Sequence, residues 1–195
     1  ILHTAFNESD EKRLRVQIPR QQASGIKMGW LERDDLKSLY PGLGPKVQGA
    51  LCWYDQAEVE AYRLTLAYAQ AAELRGACIR QGIVMGIRHH GSRVTAVVVS
   101  GKEIQADAVV LAMGPWSKAG GLWFGRKVPV VPVRGQIMVM EPASVLPPYL
   151  IFHGLNYVIP KAGGLIMAGT TLERVGFRNR VTQAGRDFIM RGALS

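Results

Sequence analysis

The segment most suggestive of ligand binding is residues 107–114, an apolar run that ends in glycine. The run reads Asp-Ala-Val-Val-Leu-Ala-Met-Gly and is followed by Pro115, which predicts a buried strand that stops at Gly114. A glycine there lets a ligand or another backbone approach closely, and open α/β sheets bind ligands at the carboxyl ends of their strands. A core strand with an ordinary glycine turn is the simpler interpretation, and these residues taken alone favour it.

Arg134 is a second residue whose chemistry suits a ligand. It lies in Val131-Pro-Val-Arg-Gly-Gln136, near the start of a predicted alternating strand. Its planar guanidinium can bind an anion through paired hydrogen bonds. A strand arginine beside a glycine is also a common partner in an internal salt bridge. The sequence favours the salt bridge and leaves the anion site open as the alternative.

No other side chains form a recognisable catalytic or metal-binding pattern. No Ser/His/Asp or Cys/His arrangement can be traced. Neither the histidines nor the cysteines have ligand spacing: they are His3, His89, His90, His153, Cys52 and Cys78. Two cysteines without a disulfide framework suit a reducing compartment, so we expect a cytoplasmic protein without a metal site.

The composition predicts a folded protein of one domain or two small ones. The chain has 195 residues, of which 48% are hydrophobic and 8% aromatic, enough to bury a core. No run of about eighteen apolar residues is present, so we expect no transmembrane helix. The net charge of +9 attracts anions. A nucleic-acid-binding motif and interleaved aromatic residues are missing, so we expect no nucleic-acid partner.

Turn residues and apolar periodicity divide the chain into short elements. The best helix signal starts at Asp55, where Glu58 completes a capping box, and ends at Gly76. We expect further helices at residues 32–39 and 182–193, the second with a threonine cap. The predicted strands are residues 14–18, 51–54, 77–80, 83–89, 93–100, 103–106, 107–114, 128–140, 150–160 and 164–171.

Asp107-Ala-Val-Val-Leu-Ala-Met-Gly-Pro-Trp-Ser117 and Pro132-Val-Arg-Gly-Gln136 together resemble the FAD-dependent amine and amino-acid oxidoreductases, the group of glycine oxidase, sarcosine oxidase and D-amino-acid oxidase or dehydrogenase. Further similar segments keep the same order on both sides: Trp30-Leu-Glu-Arg-Asp-Asp-Leu-Lys-Ser-Leu-Tyr-Pro-Gly-Leu43, Val47-Gln-Gly-Ala50, Val59-Glu-Ala-Tyr-Arg-Leu-Thr65, Tyr157-Val-Ile-Pro160 and Gly169-Thr-Thr-Leu-Glu-Arg-Val-Gly-Phe177. The ordered set runs from about residue 28 to residue 190. The subfamily stays open, and a relative of the glycerol-phosphate dehydrogenases is a further alternative.

The chain departs from this family at the dinucleotide motif. Family members begin with a strand, a Gly-x-Gly-x-x-Gly turn and a helix, because the glycines and the helix N-terminus hold the pyrophosphate. The nearest spellings, Gly42-Leu-Gly-Pro-Lys-Val47 and Gly120-Gly-Leu-Trp-Phe-Gly125, do not join a predicted strand to a predicted helix. We therefore expect an internal fragment of a larger enzyme, with the arginine that clamps the substrate carboxylate beyond Ser195. We expect the fragment alone to be inactive and to bind FAD poorly or not at all.

The elements and the resemblance together predict a mixed α/β and α+β fold. We expect a partial FAD-binding, Rossmann-like domain at residues 46–119, with a β-meander as its crossover. We expect an antiparallel-sheet substrate domain from residues 1–45 and 120–195, which makes that domain discontinuous.

The resemblance also implies which residues form the sites. Tyr157 and Leu172 would line the substrate pocket. The residues implied at FAD are Val84, Ala112, Gly114 and Trp116, the first three through their backbone. Plainer interpretations stand beside these: Tyr157 as a half-buried sheet aromatic, and Leu172 and Trp116 as packing residues.

The activity implied by the resemblance is oxidation of the C–N bond of an amino acid or related small amine, by hydride transfer to FAD. The resulting imine would hydrolyse. The lack of a catalytic triad fits this activity, because a flavin carries the redox chemistry itself. A non-catalytic remnant of the fold, acting as a binding or assembly module, is the alternative. Exposed sheet edges would then favour a homo-oligomer.

Overall fold

The computed structural model describes residues 1–142 and 146–195 and has a mixed α/β fold with two compact units. The first unit comprises Ile1–Glu58, Arg134–Arg174 and Arg178–Ser195, and the second comprises Val59–Val133 and Val175–Phe177. The domain boundaries predicted from the sequence fall at 45/46 and 119/120. The roles predicted for the two domains, substrate binding and FAD binding, stay predictions.

Short strands and helices alternate along both units. Within the described residues the strands are β1 (Leu2–Ala5), β2 (Met28–Glu32), β3 (Gly49–Trp53), β4 (Val84–His90), β5 (Arg93–Val99), β6 (Lys102–Gln105), β7 (Ile137–Met140), β8 (Ile151–His153), β9 (Asn156–Pro160) and β10 (Ile166–Gly169). The helices are α1 (Glu8–Arg15), α2 (Gln17–Gln22), α3 (Arg33–Leu39), α4 (Ala61–Glu73), α5 (Ser117–Leu122) and α6 (Gln183–Ala193), and Gly114–Trp116 forms a 3₁₀ turn.

The first unit is built on a seven-stranded sheet in the order β2-β3-β1-β8-β9-β10-β7. Every neighbouring pair in it is antiparallel except β1 and β8, which run parallel. The predicted antiparallel sheet is therefore a mixed sheet with one parallel pair. Parallel neighbours need a long connection, and residues 6–150 supply it.

Helices cover both faces of this sheet at its β1 and β3 strands. Leu14 of α1 packs against Leu51 on one face. Leu36 of α3 packs against Leu2 and Cys52 on the other. Successive residues of a strand point to opposite faces, so Leu51 and Cys52 each enter a separate core cluster. Helix α6 contacts β9, β10 and β7 further along the sheet.

The second unit contains the expected β-meander. Strands β4, β5 and β6 form a separate antiparallel sheet in sequence order. Gly91 turns between β4 and β5 with φ +59°, and Gly101 between β5 and β6 with φ +82°. Glycine adopts this left-handed conformation without a steric penalty, which explains why both turns fall where the sequence predicted them.

Residues 14–18 are helical, so the strand predicted there is wrong. Asn7 caps α1, because its side chain accepts a hydrogen bond from the Asp10 amide at 3.0 Å. Acidic residues occupy the first turn of α1 and basic residues its last turn, an arrangement that favours the helix dipole. This signal is present in the sequence and outweighs the apolar alternation of residues 14–18.

Residues 107–114 form no strand, and neither do residues 77–80, contrary to prediction. A strand is defined by ladder hydrogen bonds to a neighbour, and the described residues provide no neighbouring strand for either segment. Val110, at the centre of the first segment, is 89% exposed. The predicted strand at 128–140 is also shortened to β7, with one isolated bridge between Arg134 and Glu173.

The predicted long helix begins later than its capping box suggests. Helix α4 starts at Ala61 with Glu60 as its N-cap residue, and Glu58 forms an ion pair with Lys161. Its end is as predicted, since Gly76 has φ +90°. Helix α6 is also confirmed, and Thr182 caps it by accepting a hydrogen bond from the Gly185 amide at 3.2 Å.

Two further features are absent from the described residues. None of their helices combines the length and the apolar character needed to cross a membrane. They contain no group of three or more His, Cys, Asp or Glu side chains that could hold a metal ion.

Candidate functional site

One row of directly paired residues crosses the whole seven-stranded sheet. Directly paired residues on neighbouring strands point to the same face. From the β2 edge to the β7 edge, the row is Trp30, Leu51, His3, Phe152, Tyr157, Gly169 and Ile137. The row therefore places Tyr157, which the resemblance implied at the substrate, on the same sheet face as two further aromatic rings.

Burial changes along this row. Leu51 is 1% exposed beneath α1, whereas Ile137 at the far end is 53% exposed. Val139 lies two residues after Ile137, so its side chain points to the same face, and it is also exposed. Tyr157 is partly buried between the two ends. The face thus changes from a covered core to an exposed apolar edge at β7. We call the part from Tyr157 to that edge the open face (Tyr157, Gly169, Ile137 and Val139); within it Gly169 is buried beneath the Tyr157 ring.

Neighbouring rings fix the orientation of Tyr157. Its ring centroid lies 5.6 Å from that of Phe152 in a tilted arrangement, and Phe152 stacks on His3 at 5.1 Å. Burial lowers the pKa of His3 below its ordinary value, so this stack holds a neutral imidazole. A methyl group at Gly169 would overlap the Tyr157 ring. Among the described residues, the Tyr157 hydroxyl has no hydrogen-bond partner, and it is free for a ligand.

Leu172 follows the strand position that is paired with Tyr157. It comes three residues after Gly169, the residue paired with Tyr157, and three residues span at most about 11 Å. Its side chain is 63% exposed, although Thr171 before it is buried. The place of Leu172 at the substrate and its role as a packing residue both stay predictions.

Arg134 is held in an internal salt bridge, which decides between the two alternatives for this residue. Its Nη2 lies 2.6 Å from Oε2 of Glu173, and its Nη1 donates to the Arg178 carbonyl at 3.0 Å. Hydrogen bonds from Arg134, Thr171 and Gln136 lower the pKa of Glu173 to about 2. Arg134 is only 11% exposed in its side chain, so the anion-ligand alternative is wrong.

The residues implied at FAD lie in the second unit. Val84 begins β4, an edge strand whose only partner among the described residues is β5. Ala112 is exposed in the irregular segment before the 3₁₀ turn. Gly114 opens that turn with φ +51°, and nothing lies within 4 Å of the place where a Cβ would be. Trp116 is exposed and stacks on Phe177 at 5.4 Å. Accessible backbone at Val84, Ala112 and Gly114 fits contact with a dinucleotide.

A cavity of about 170 Å³ in the first unit has polar side chains in its wall, together with Tyr157. Thr4, His153 and Asn156 each adjoin a row residue in sequence, so their side chains point to the opposite sheet face. His153 Nδ1 lies 3.1 Å from the Thr4 carbonyl, and the Gly192 end of α6 also borders the cavity. The cavity therefore lies mainly on the face opposite the Tyr157 ring.

Sequence reasoning missed several residues that shape this region. Phe152 and His3 are recognisable only through the row, because β1 and β8 are far apart in the chain. The sequence contains a usable signal for Glu173. An acidic residue stands in the Gly169-Thr-Thr-Leu-Glu segment, while a basic residue and an amide, Arg134 and Gln136, lie on one face of a predicted strand. Opposite charges on two predicted strands indicate a cross-strand pair.

Comparison with known proteins identifies the relatives of this chain. A family described as FAD dependent oxidoreductase matches residues 1–195. The chain is 33% identical over 168 residues to the bifunctional protein ThiO/ThiG of Synechocystis sp., covering 83% of this chain and 25% of that protein. It is 34% identical over 157 residues to a glycine oxidase of Pseudomonas aeruginosa, covering 78% of this chain and 43% of the enzyme.

A solved structure shares the fold throughout the chain. The crystal structure of glycine oxidase from Bacillus cereus ATCC 14579 superposes with a TM-score of 0.92 and 28% sequence identity, covering 98% of this chain and 53% of that one. The chain thus spans about half the length of this relative, and less of the two proteins above.

Proposed function

Because this chain belongs to the FAD-dependent oxidoreductase family, we propose that the protein oxidises the carbon–nitrogen bond of a small amino acid or related amine, as a glycine-oxidase-like enzyme. The electron acceptor in this proposal is FAD. The relatives described as glycine oxidases support an amino acid as the substrate class.

The single observation that carries the proposal is the position of Tyr157 in the cross-strand row. Among the described residues its hydroxyl has no hydrogen-bond partner, and its ring lies between the covered core and the open face. A phenolic hydroxyl can donate to a carboxylate or accept from an amine. The apolar surface beside it suits the carbon atoms of the substrate. Tyr157 would orient a small zwitterion, and Leu172 would limit its size.

The cofactor would be held by residues of the second unit. We propose that Val84, Ala112 and Gly114 contact FAD through their backbone, and that Trp116 packs beside it. When bound, FAD supplies the redox chemistry by accepting a hydride from the carbon that bears the nitrogen. This chain would contribute binding and orientation.

Flavin binding is the first test. We expect the product of the complete reading frame to purify with flavin absorbance, or to acquire it when FAD is added. The 195-residue chain alone should bind FAD much more weakly, since it spans about half the length of its relatives. A complete product that neither carries nor binds flavin would overturn the proposed function.

The second test removes the Tyr157 hydroxyl. Tyr157→Phe should lower kcat/KM for glycine by about tenfold to a hundredfold, because a hydrogen bond to a charged group contributes about 1.5–3 kcal/mol. Tyr149→Phe is the matched control, since Tyr149 is also partly buried but packs against the Leu2 and Leu36 cluster, outside the row. Equal kcat/KM values for both variants would remove Tyr157 from the substrate site.

An assembly role is the second candidate, and one observation favours it. The second unit exposes large apolar side chains on α4 and beyond it, among them Tyr62, Leu74, Val110 and Leu122, and apolar patches of this kind mark interaction surfaces. Analytical ultracentrifugation of the flavin-free protein tests this role. A monomer at every concentration would exclude it, whereas a homo-oligomer without flavin or activity would favour it.

A further inference from the structure

Leu172 is held from both sides by backbone hydrogen bonds. On one side, the Thr171 amide donates to the Gln136 carbonyl at 3.3 Å. On the other, Glu173 and Arg134 exchange both backbone hydrogen bonds, each at 2.9 Å. The backbone at Leu172 is therefore held in place, and its side chain starts from a fixed position.

The Glu173 carboxylate adds a second set of bonds to the same segment. Its Oε2 accepts from Arg134 Nη2 at 2.6 Å. Its Oε1 accepts from Gln136 Nε2 at 2.6 Å and from the Thr171 hydroxyl at 2.7 Å. Arg134 Nε lies at a longer 3.4 Å from Oε1. The Glu173 carboxylate thus links Thr171 and Glu173, the residues on either side of Leu172, to the segment that contains Arg134 and Gln136.

The same network reaches the start of α6. Gln136 Nε2 also donates to the Thr182 hydroxyl at 3.0 Å, and the Thr182 amide donates to Gln136 Oε1 at 2.8 Å. Gln136 is buried, and both ends of its amide group are used. Because buried polar networks hold a single arrangement when every member is satisfied, the network fixes the segment that carries Leu172 relative to α6.

We propose that Glu173 is a positioning residue: by binding Arg134, Gln136 and Thr171, its carboxylate holds Leu172 beside the open face and so limits the size of the amine that the protein accepts. This inference rests on the proposed function for its substrate. It assigns a role to Glu173 that is separate from contact with substrate, since the carboxylate is already occupied by these three side chains.

A pair of the same residue types elsewhere in the chain provides the control. Arg88 and Glu103 form an ion pair at 2.7 Å between β4 and β6, and both side chains are well exposed. Among the described residues, Glu103 makes no side-chain hydrogen bond besides the one to Arg88. Glu103→Gln therefore removes the same charge as Glu173→Gln without changing the surroundings of Leu172.

The experiment measures substrate preference in the FAD-loaded product of the complete reading frame. The ratio of kcat/KM for glycine to kcat/KM for each enantiomer of alanine is compared between the parent, Glu173→Gln and Glu103→Gln. We expect Glu173→Gln to change this ratio by about fivefold or more, since a change of one methylene in a pocket alters kcat/KM about 10–200-fold. Glu103→Gln should leave the ratio within about twofold, as expected for an exposed pair.

A double variant separates positioning from loss of stability. Glu173→Gln leaves Arg134 without its counter-charge, which destabilises the fold. Arg134→Gln/Glu173→Gln removes that charge as well, so part of the thermal stability should return while the altered ratio persists. A ratio that returns to the parent value together with stability, or that never changes, would overturn the proposal.

Amide hydrogen exchange gives a readout that does not depend on oxidation. We expect residues 170–173 to exchange faster in Glu173→Gln than in the parent, with no such change in Glu103→Gln. If no amine is oxidised by the parent, the proposed function fails, and faster exchange at 170–173 still supports the positioning of Leu172. Unchanged exchange there would overturn the positioning whether or not the protein is an enzyme.

Discussion

The two units differ in how far their apolar side chains are buried. Among the described residues, every buried hydrophobic side chain except Ala96 lies in the first unit. The second unit exposes many of its large hydrophobic residues, including Tyr62 and Leu66 on α4 and Val110 in the irregular segment. Both units contain helices and an antiparallel meander, so the presence of these elements alone does not produce a core.

The difference comes from layering. A sheet or a helix is stable when its apolar face packs against a second layer. In the first unit, α1 and α3 cover the two faces around β1 and β3. In the second unit, α4 contains no buried residue, and its leucines and tyrosines remain available. The first unit therefore carries the stability of the described fold, and the second carries surface suited to a cofactor or another protein segment.

A pair of leucine substitutions tests this comparison most strongly. Leu51→Ala should reduce the free energy of unfolding by about 2–5 kcal/mol, because it leaves a cavity beneath α1. Leu66→Ala in α4 should cost less than about 1 kcal/mol, since Leu66 is 45% exposed. Urea unfolding followed by circular dichroism measures both. Equal costs would mean that the second unit has a core of its own.

The acid dependence of stability tests the polar network of the first unit. The pKa of Glu173 is about 2 in the folded protein, below its ordinary value of 4.5. Its stabilising effect is therefore complete above pH 4.5 and is lost as the pH falls toward 2. We expect the melting temperature of the parent to fall through this window, and Glu173→Gln to make that fall shallower.

Glu103→Gln is the control for this measurement as well. The Arg88–Glu103 pair of the second unit is exposed and should contribute no more than about 0.5 kcal/mol. Its removal should leave the pH profile nearly unchanged. A profile that responds equally to both substitutions would show that the network around Glu173 is no stronger than a surface pair.

The smallest expected effect concerns two threonines in helices of the two units. Thr182→Ala removes the cap of α6 and should cost about 1 kcal/mol. Thr65→Ala in α4 removes only a bond to the Ala61 carbonyl of the same helix, and it should be neutral or slightly stabilising, because alanine has the higher helix propensity. Thermal unfolding of both variants measures the difference, and a costlier Thr65→Ala would reverse the comparison.

Prediction from the sequence succeeded where the signal was local. Helix α3, helix α6 with its Thr182 cap, and the meander were each marked by neighbouring turn and cap residues. The cap at Asn7 is an equally local signal, but a strand was predicted at residues 14–18, so α1 was missed. The strand at 107–114 failed for another reason: its formation depends on a neighbouring strand, and composition cannot show whether one is present.

The residues of the candidate site divide in the same way, into those with a local signal and those with a long-range one. Tyr157 and Leu172 were named through a resemblance of short segments, and their roles in binding stay proposals. Glu173 was missed, because its partner Arg134 lies 39 residues away in the chain. Phe152 and His3 were missed because a parallel pair joins β1 to β8. Residues whose partners are far away in the chain are hard to recognise in a single sequence.

The sequence by itself determined the family, the local turns and caps, and the order of most elements, since each depends on residues close together in the chain. Tertiary structure alone decided that Arg134 is a salt-bridge partner, that residues 107–114 are not a strand, and that Tyr157 lies where the covered core meets the open face. The physical reason is strand register: pairing across seven strands sets which side chains share a face, and the register is a property of the assembled sheet.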